Sequence, residues 1–277
     1  MNDRTLPRWL RLILVIVALS QLIFGLTLVI EPAAISRLWP WSLTPITTRL
    51  LGASTLVSVP LEVLVAASNR WSVARIPIVM LLIYRILQLA AGFMHFGRFD
   101  FTHTATWNYF GGGFLMLIIL TYALVRSSRL GQPVIAAPGW VRGAAPLVLS
   151  RRARGILRLI ATIYFFLGLA LLVLGPQATP LWFEPADTLT PLTARLFSSP
   201  TIGLAFGLWL VTLATHWREA AVPAAAWTAF GVVGLLVMLV ERSSIAPPTV
   251  AGYAIPLTPP VLLILGLYLL APSRSRG

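Results

Sequence analysis

The groups able to do chemistry in this chain lie inside apolar runs. Glu62 sits in TLVSVPLEVLVAAS, Tyr84, Arg85 and Gln88 in MLLIYRILQLAAG, and Gln21 in ALSQLIFG. A charge at the centre of a membrane helix costs about 3 kcal/mol or more, so such residues face a bundle interior and seek partners. Arg85 and Gln88 are three apart and Tyr84 and Gln88 four apart, which puts them on one helical face. Glu62 lies about five residues before the turn joining the two runs and Arg85 about eleven after it. At about 1.5 Å per residue the axial offset is roughly 9 Å, much of which an arginine side chain covers. A Glu62–Arg85 ion pair is predicted, with Gln21 and Gln88 nearby. Ser58 lies one turn before Glu62, and Pro60 between them should kink the helix and free a carbonyl. Two readings stay open: a salt bridge that locks the fold, or a polar pocket for a headgroup, a quinone or a small substrate.

The elements that position these groups follow from composition. Of 277 residues, 58% are hydrophobic and 10% charged, with a mean hydropathy of +0.86. A soluble domain carries about 25% charged residues, so the expected class is an all-α integral membrane protein. Runs long enough to cross a bilayer lie near 10–30, 46–67, 74–95, 107–126, 156–174, 192–214, 220–240 and 253–271. The last is interrupted by Pro256, Pro259 and Pro260. The first is too long for a signal-peptide core and is read as a retained helix.

All 21 basic residues are arginine, giving a net charge of +13. They cluster beside the apolar runs, which argues for membrane orientation rather than nucleic acid. With the N-terminus inside, 15 arginines fall on cytoplasmic segments and five on the opposite side. A cell-membrane, multi-pass protein with both termini cytoplasmic is expected. The stretch 127–155, SSRLGQPVIAAPGWVRGAAPLVLSRRARG, reads as a basic cytoplasmic linker between a first unit, 1–126, and a second, 156–277. Its arginines suit anionic lipid headgroups. The chain has no cysteine, which excludes disulfides and thiolate chemistry.

LTPITTRL at 43–50 recurs as LTPLTARL at 189–196. An offset of 146 aligns 43–128 with 189–274 without a gap and matches 19 of 86 positions, Trp71, Pro77 and Tyr122 falling on Trp217, Pro223 and Tyr268. This reads as two four-helix units in parallel repeat, related by a pseudo-two-fold axis along the membrane normal. In each octapeptide threonine suits an N-cap and proline a first helical turn. Arg49 and Arg195 then fall in the second turn, where the helix dipole disfavours a cation without an anionic partner. Glu31 is the expected partner in the first unit, and Glu184 or Asp187 in the second. The polar groups do not repeat: Glu62 aligns with Leu208, Arg85 with Gly231 and Gln88 with Gly234.

Gly111-Gly112-Gly113 aligns with Leu257-Thr258-Pro259, read as close helix packing in one unit and a late helix start in the other. His95, Asp100 and His103 match no standard metal spacing and read as a polar loop. No helix carries the paired histidines of b-type haem, and no nucleophile motif, HExxH or phosphate-binding glycine loop is present. No catalytic residue, metal or cofactor is assigned.

TPITTRLLGAS, with small residues after Arg49, resembles the DoxX-like family of small four-helix membrane proteins, over about 10–126 and again over 156–271, where ARLFSS departs from the glycine pattern. The resemblance implies a four-helix unit and an accessory role in membrane redox complexes, and it transfers no catalytic residue. The first expectation is a non-catalytic scaffold or accessory subunit with a membrane-protein partner. The alternatives are a transporter or small-molecule or lipid binder using the Glu62–Arg85 pocket, and a quinone-linked redox component.

Overall fold

The computed structural model describes residues 5–36, 41, 43–130, 147, 149–184, 189–246 and 249–271. Among them there are helices and no strands, and eight helices are long and apolar enough to cross a membrane. They are α1 (Arg8–Ile30), α2 (Pro45–Ser68), α3 (Trp71–Met94), α4 (Thr104–Val125), α5 (Arg151–Leu174), α6 (Pro191–Leu213), α7 (Trp217–Val240) and α8 (Val250–Leu270). The chain is a polytopic, all-α membrane protein.

Local signals set the helix starts. Thr44 caps α2 by accepting a hydrogen bond from Thr47 N–H, and Thr190 caps α6 by accepting one from Thr193 N–H, each followed by proline. Ser150 likewise caps α5, accepting from Ala153 N–H. That cap starts α5 at Arg151, upstream of the apolar run, with Arg151, Arg152 and Arg154 exposed in its first turns. The fourth helix continues to Leu130, so the connection between helices is shorter than composition suggests, and 131–146 lie outside the described residues.

Helix α2 breaks at Val57, three residues before Pro60, and Ser58 Oγ donates to Thr55 O across the break. Asn69 ends α2 in the left-handed conformation at φ 51° and accepts a hydrogen bond from Leu6 N–H through its side chain. A π-helical turn, Asn108–Gly112, lies within α4, and α8 opens as a 3₁₀ turn, Val250–Ala254. Gly113 approaches Leu89 so closely that an added Cβ would lie 2.9 Å from its side chain, whereas Gly111 faces open space.

The packing is interleaved. Helix α1 lies on α2 and α5 on α6, while α3 lies on α4 and α7 on α8. Helix α3 also packs along α6, and α7 along both α2 and α3. Helices from the two halves of the chain therefore share one apolar core, in which Leu61, Leu81, Leu204, Leu208 and Trp227 meet. Helix α6 is the most buried span, while α1 and α8 are largely peripheral and present residues such as Ile23 and Ile264 outward, as lipid-facing helices do.

Candidate functional site

A cavity of about 130 Å³ opens in the seam between the halves. Its walls come from both. Gln21, Ser58 and Tyr84 stand in the first half, and Leu167, Leu204 and Phe230 in the second. Each of these three pairs is separated by 146 residues. In each of these pairs the first-half residue is polar and the second-half residue apolar, which makes a polar wall of Gln21, Ser58 and Tyr84 within a lining that also takes Leu50, Leu61 and Leu81 from the first half and Thr201 and Thr258 from the second.

Arg85 joins the polar wall. It is buried, its Nη1 donates to Gln88 Oε1 at 2.7 Å, and its guanidinium carbon lies 5.0 Å from the centre of the Tyr84 ring. Among the described residues Arg85 Nε has no hydrogen-bond partner, and neither has Trp227 Nε1, whose side chain lines the cavity from α7. Two buried N–H donors on cavity-lining residues are thus without acceptors there, each an energetic cost.

Glu62 is fully buried just behind this wall, between the lining residues Ser58 and Leu61 on one side and the rest of α2 on the other. The predicted Glu62–Arg85 ion pair is not formed, and among the described residues neither Glu62 oxygen has a hydrogen-bond partner. The two groups still feel each other's charge. The physical reason is that Arg85 spends Nη1 on Gln88, one turn along its own helix, instead of reaching α2. Of the predicted pocket residues, Arg85, Tyr84 and Gln21 line the cavity, Gln88 anchors Arg85, and Glu62 lies adjacent. Trp227 escaped the sequence reading, because an indole in an apolar run carries no polar signal of its own. Its aligned partner Leu81 also lines the cavity.

In the second half the polar positions are glycines under the eighth helix. A Cβ on Gly231 would lie 2.5 Å from Leu263 Cβ, and one on Gly234 2.7 Å from Pro259. Helix α8 occupies the space that Arg85 and Gln88 take in the first half.

The octapeptide arginines tie the halves together. Arg49 donates Nε to Val29 O at the end of α1 and forms an ion pair with Glu241 at the end of α7. Arg195 donates Nε to Leu172 O at the end of α5 and Nη1 to His95 Nε2, at 2.6 Å, at the end of α3. His95 and Glu241 are themselves 146 residues apart. Glu31, the expected partner of Arg49, is exposed. Glu184, expected beside Arg195, instead accepts from Thr47 Oγ1 at 2.5 Å and Trp182 Nε1 at 3.2 Å, bridging the second half to the start of α2. Asp187 lies outside the described residues. Partners were misassigned because the neighbouring loop is nearest in sequence, whereas interleaving brings the far end of the other half's helix closest.

Arginine has no acceptor, so His95 receives the Arg195 bond through an unprotonated nitrogen. Burial, then the charges of Arg195 and Arg98, hold its pKa below the usual 6.5. Asp100 lies with Thr102 and, at 3.5 Å, His103, while His95 is committed to Arg195. The Thr102 hydroxyl and N–H hold the Asp100 carboxyl below its usual range. No cluster of three metal-ligating side chains occurs among the described residues.

Comparison with protein-family models, with curated proteins and with solved structures finds no match to this chain.

Proposed function

We propose that this protein binds a small amphipathic molecule in the seam between its halves, within the membrane. The observation that carries this reading is a mostly apolar cavity, lined by residues such as Leu167, Leu204 and Phe230, into which the first half brings Gln21, Tyr84 and the buried Arg85. Ligand sites are mostly apolar with a few convergent polar groups, and this cavity has that character. At about 130 Å³ it is close to the roughly 150 Å³ cavity that admits benzene, so the occupant's buried part is about one ring in size.

The reading includes a duplicated four-helix unit, supported by the matched caps, the paired arginine contacts and the register of the cavity walls. It also includes a cell-membrane location with cytoplasmic termini, supported by the arginine bias. An accessory subunit of a membrane complex, as the DoxX-like resemblance implies, is the competing reading. The missing ion pair and the open seam favour binding.

The test is calorimetric titration of the purified full-length protein with benzoate and with benzamide. Binding of either probe, lost in Ser58→Leu while the melting temperature holds, supports the reading. The substitution places in the first half the residue type that the second half already carries at Leu204. Failure of both probes to bind, or binding unaffected by Ser58→Leu, overturns it.

A further inference from the structure

We infer that the seam site takes a monoanion, a ring-sized carboxylate, and that Glu62 gates it by gaining or losing a proton. The inference rests on the binding reading above and names its ligand class and its coupling.

The argument starts from charge. Arg85 is buried mid-helix, yet among the described residues no acid forms an ion pair with its guanidinium. Glu62 is buried with both oxygens lacking hydrogen-bond partners among the described residues. With a proton on Glu62 the site keeps one uncompensated positive charge beside the cavity. A carboxylate there gives Arg85 its counter-charge. A neutral carbonyl compound leaves the charge unmatched.

Ionised Glu62 competes for the same guanidinium. The exchange balances: Glu62–COOH with Arg85⁺ and a bound anion becomes Glu62–COO⁻ with Arg85⁺, releasing one proton and one anion together. The site is electrically equivalent before and after. It therefore loads and unloads a proton and an anion as a neutral pair, which is the chemistry that proton-coupled carriers need.

The groups facing Glu62 leave Arg85 in control. Helix α3 presents Arg85 and Tyr84, both of which interact with the Glu62 charge. Helix α1 contributes neutral Gln21 to the cavity, and its Arg11 is held on Ala66 O, one turn beyond Glu62. Helix α7 contributes neutral Trp227, its charged Arg218 and Glu219 lying in its first turn.

Calorimetry on the full-length protein in detergent, with benzoate and benzamide as probes, from pH 7 to pH 10 and in buffers of unlike ionisation heat, tests this. Benzoate is expected to bind at least tenfold tighter than benzamide at pH 7. Its affinity should then fall tenfold per pH unit once Glu62 ionises, with one proton taken up per anion in that range. Glu62→Gln should keep the pH 7 affinity and lose the fall. Arg85→Met should lose benzoate selectivity. The wild-type proton count needs no variant, so a misfolded mutant leaves the test intact. Equal affinity for the two probes, or no proton uptake at any pH, overturns the inference while leaving the binding reading standing. Failure of both probes, or binding unaffected by Ser58→Leu, overturns that reading.

Discussion

Removing Glu241 leaves Arg49 with only the Val29 carbonyl, at a place where both side chains are largely shielded, 21% and 12% exposed. Two unit charges about 4 Å apart interact by about 4 kcal/mol at an effective dielectric of 20, and breaking a buried pair from one side costs about 3–5 kcal/mol. Residual exposure and the retained carbonyl bond lower this, so Glu241→Gln should cost about 2–3 kcal/mol. Arg49→Met should cost about 1 kcal/mol more, because it also deletes the bond that holds α2 to the end of α1. The double variant leaves no orphaned charge, and its loss should fall well below the sum of the two single losses, with a coupling of about 2 kcal/mol. Thermal unfolding in detergent reads this directly, at roughly 2–4 °C per kcal/mol. Shifts below about 1 °C in both single variants, or additive losses in the double, refute the idea that this pair clamps the first half to the second.

Two further predictions follow from the same end of the bundle. His95 has a lowered folded pKa, so the unfolded chain binds more protons; its contribution is fully present above about 6.5 and is lost as pH falls through the folded value. Melting should therefore weaken on acidification from pH 7.5 to 5.5, and His95→Glu, which reproduces the Arg49–Glu241 pairing on Arg195, should remove that loss; an unchanged slope in the variant counts against it. Thr47→Val strips Glu184 of its shortest hydrogen bond and leaves Trp182 N–H, so the melt should show a loss of about 1–3 kcal/mol, and no loss at all would mean that the cross-half bond carries no stability.

The eight spans are legible in the sequence because length, hydropathy and caps are local properties. Thr44-Pro45 and Thr190-Pro191 begin helices where the octapeptide says they should, and Pro60 breaks α2 within a turn. Contacts between spans are another matter. Arg49 pairs with Glu241, 192 residues away, and Glu184 with Thr47, 137 away. Nothing local selects those partners, since proximity there is created by interleaving α3 with α6 and α7 with α2. Buried polar residues were findable one by one, as charges that hydrocarbon disfavours. Their arrangement was not, because an arginine can reach either an acid across the seam or an amide one turn along its own helix, and packing decides which.

The placement of the cavity constrains what each half can do alone. Its walls include matched positions of α1 with α5, of α2 with α6 and of α3 with α7, so the cavity lies where the halves face each other. The first half brings the arginine. The second brings Leu167, Leu204 and Phe230, and its own glycines admit α8 so closely that Leu263 and Pro259 fill the space an arginine would need. An arginine at Gly231 would therefore have to displace α8, and a glycine at Arg85 would let α4 close the seam's polar side or leave a void. Polarity in one copy and close packing in the other are thus two solutions of one geometry. A seam with an arginine on both sides would carry two like charges across a ring-sized gap, and one with none would hold an apolar occupant without orienting it. One arginine in an otherwise largely apolar seam is the arrangement that orients a molecule with a single polar end.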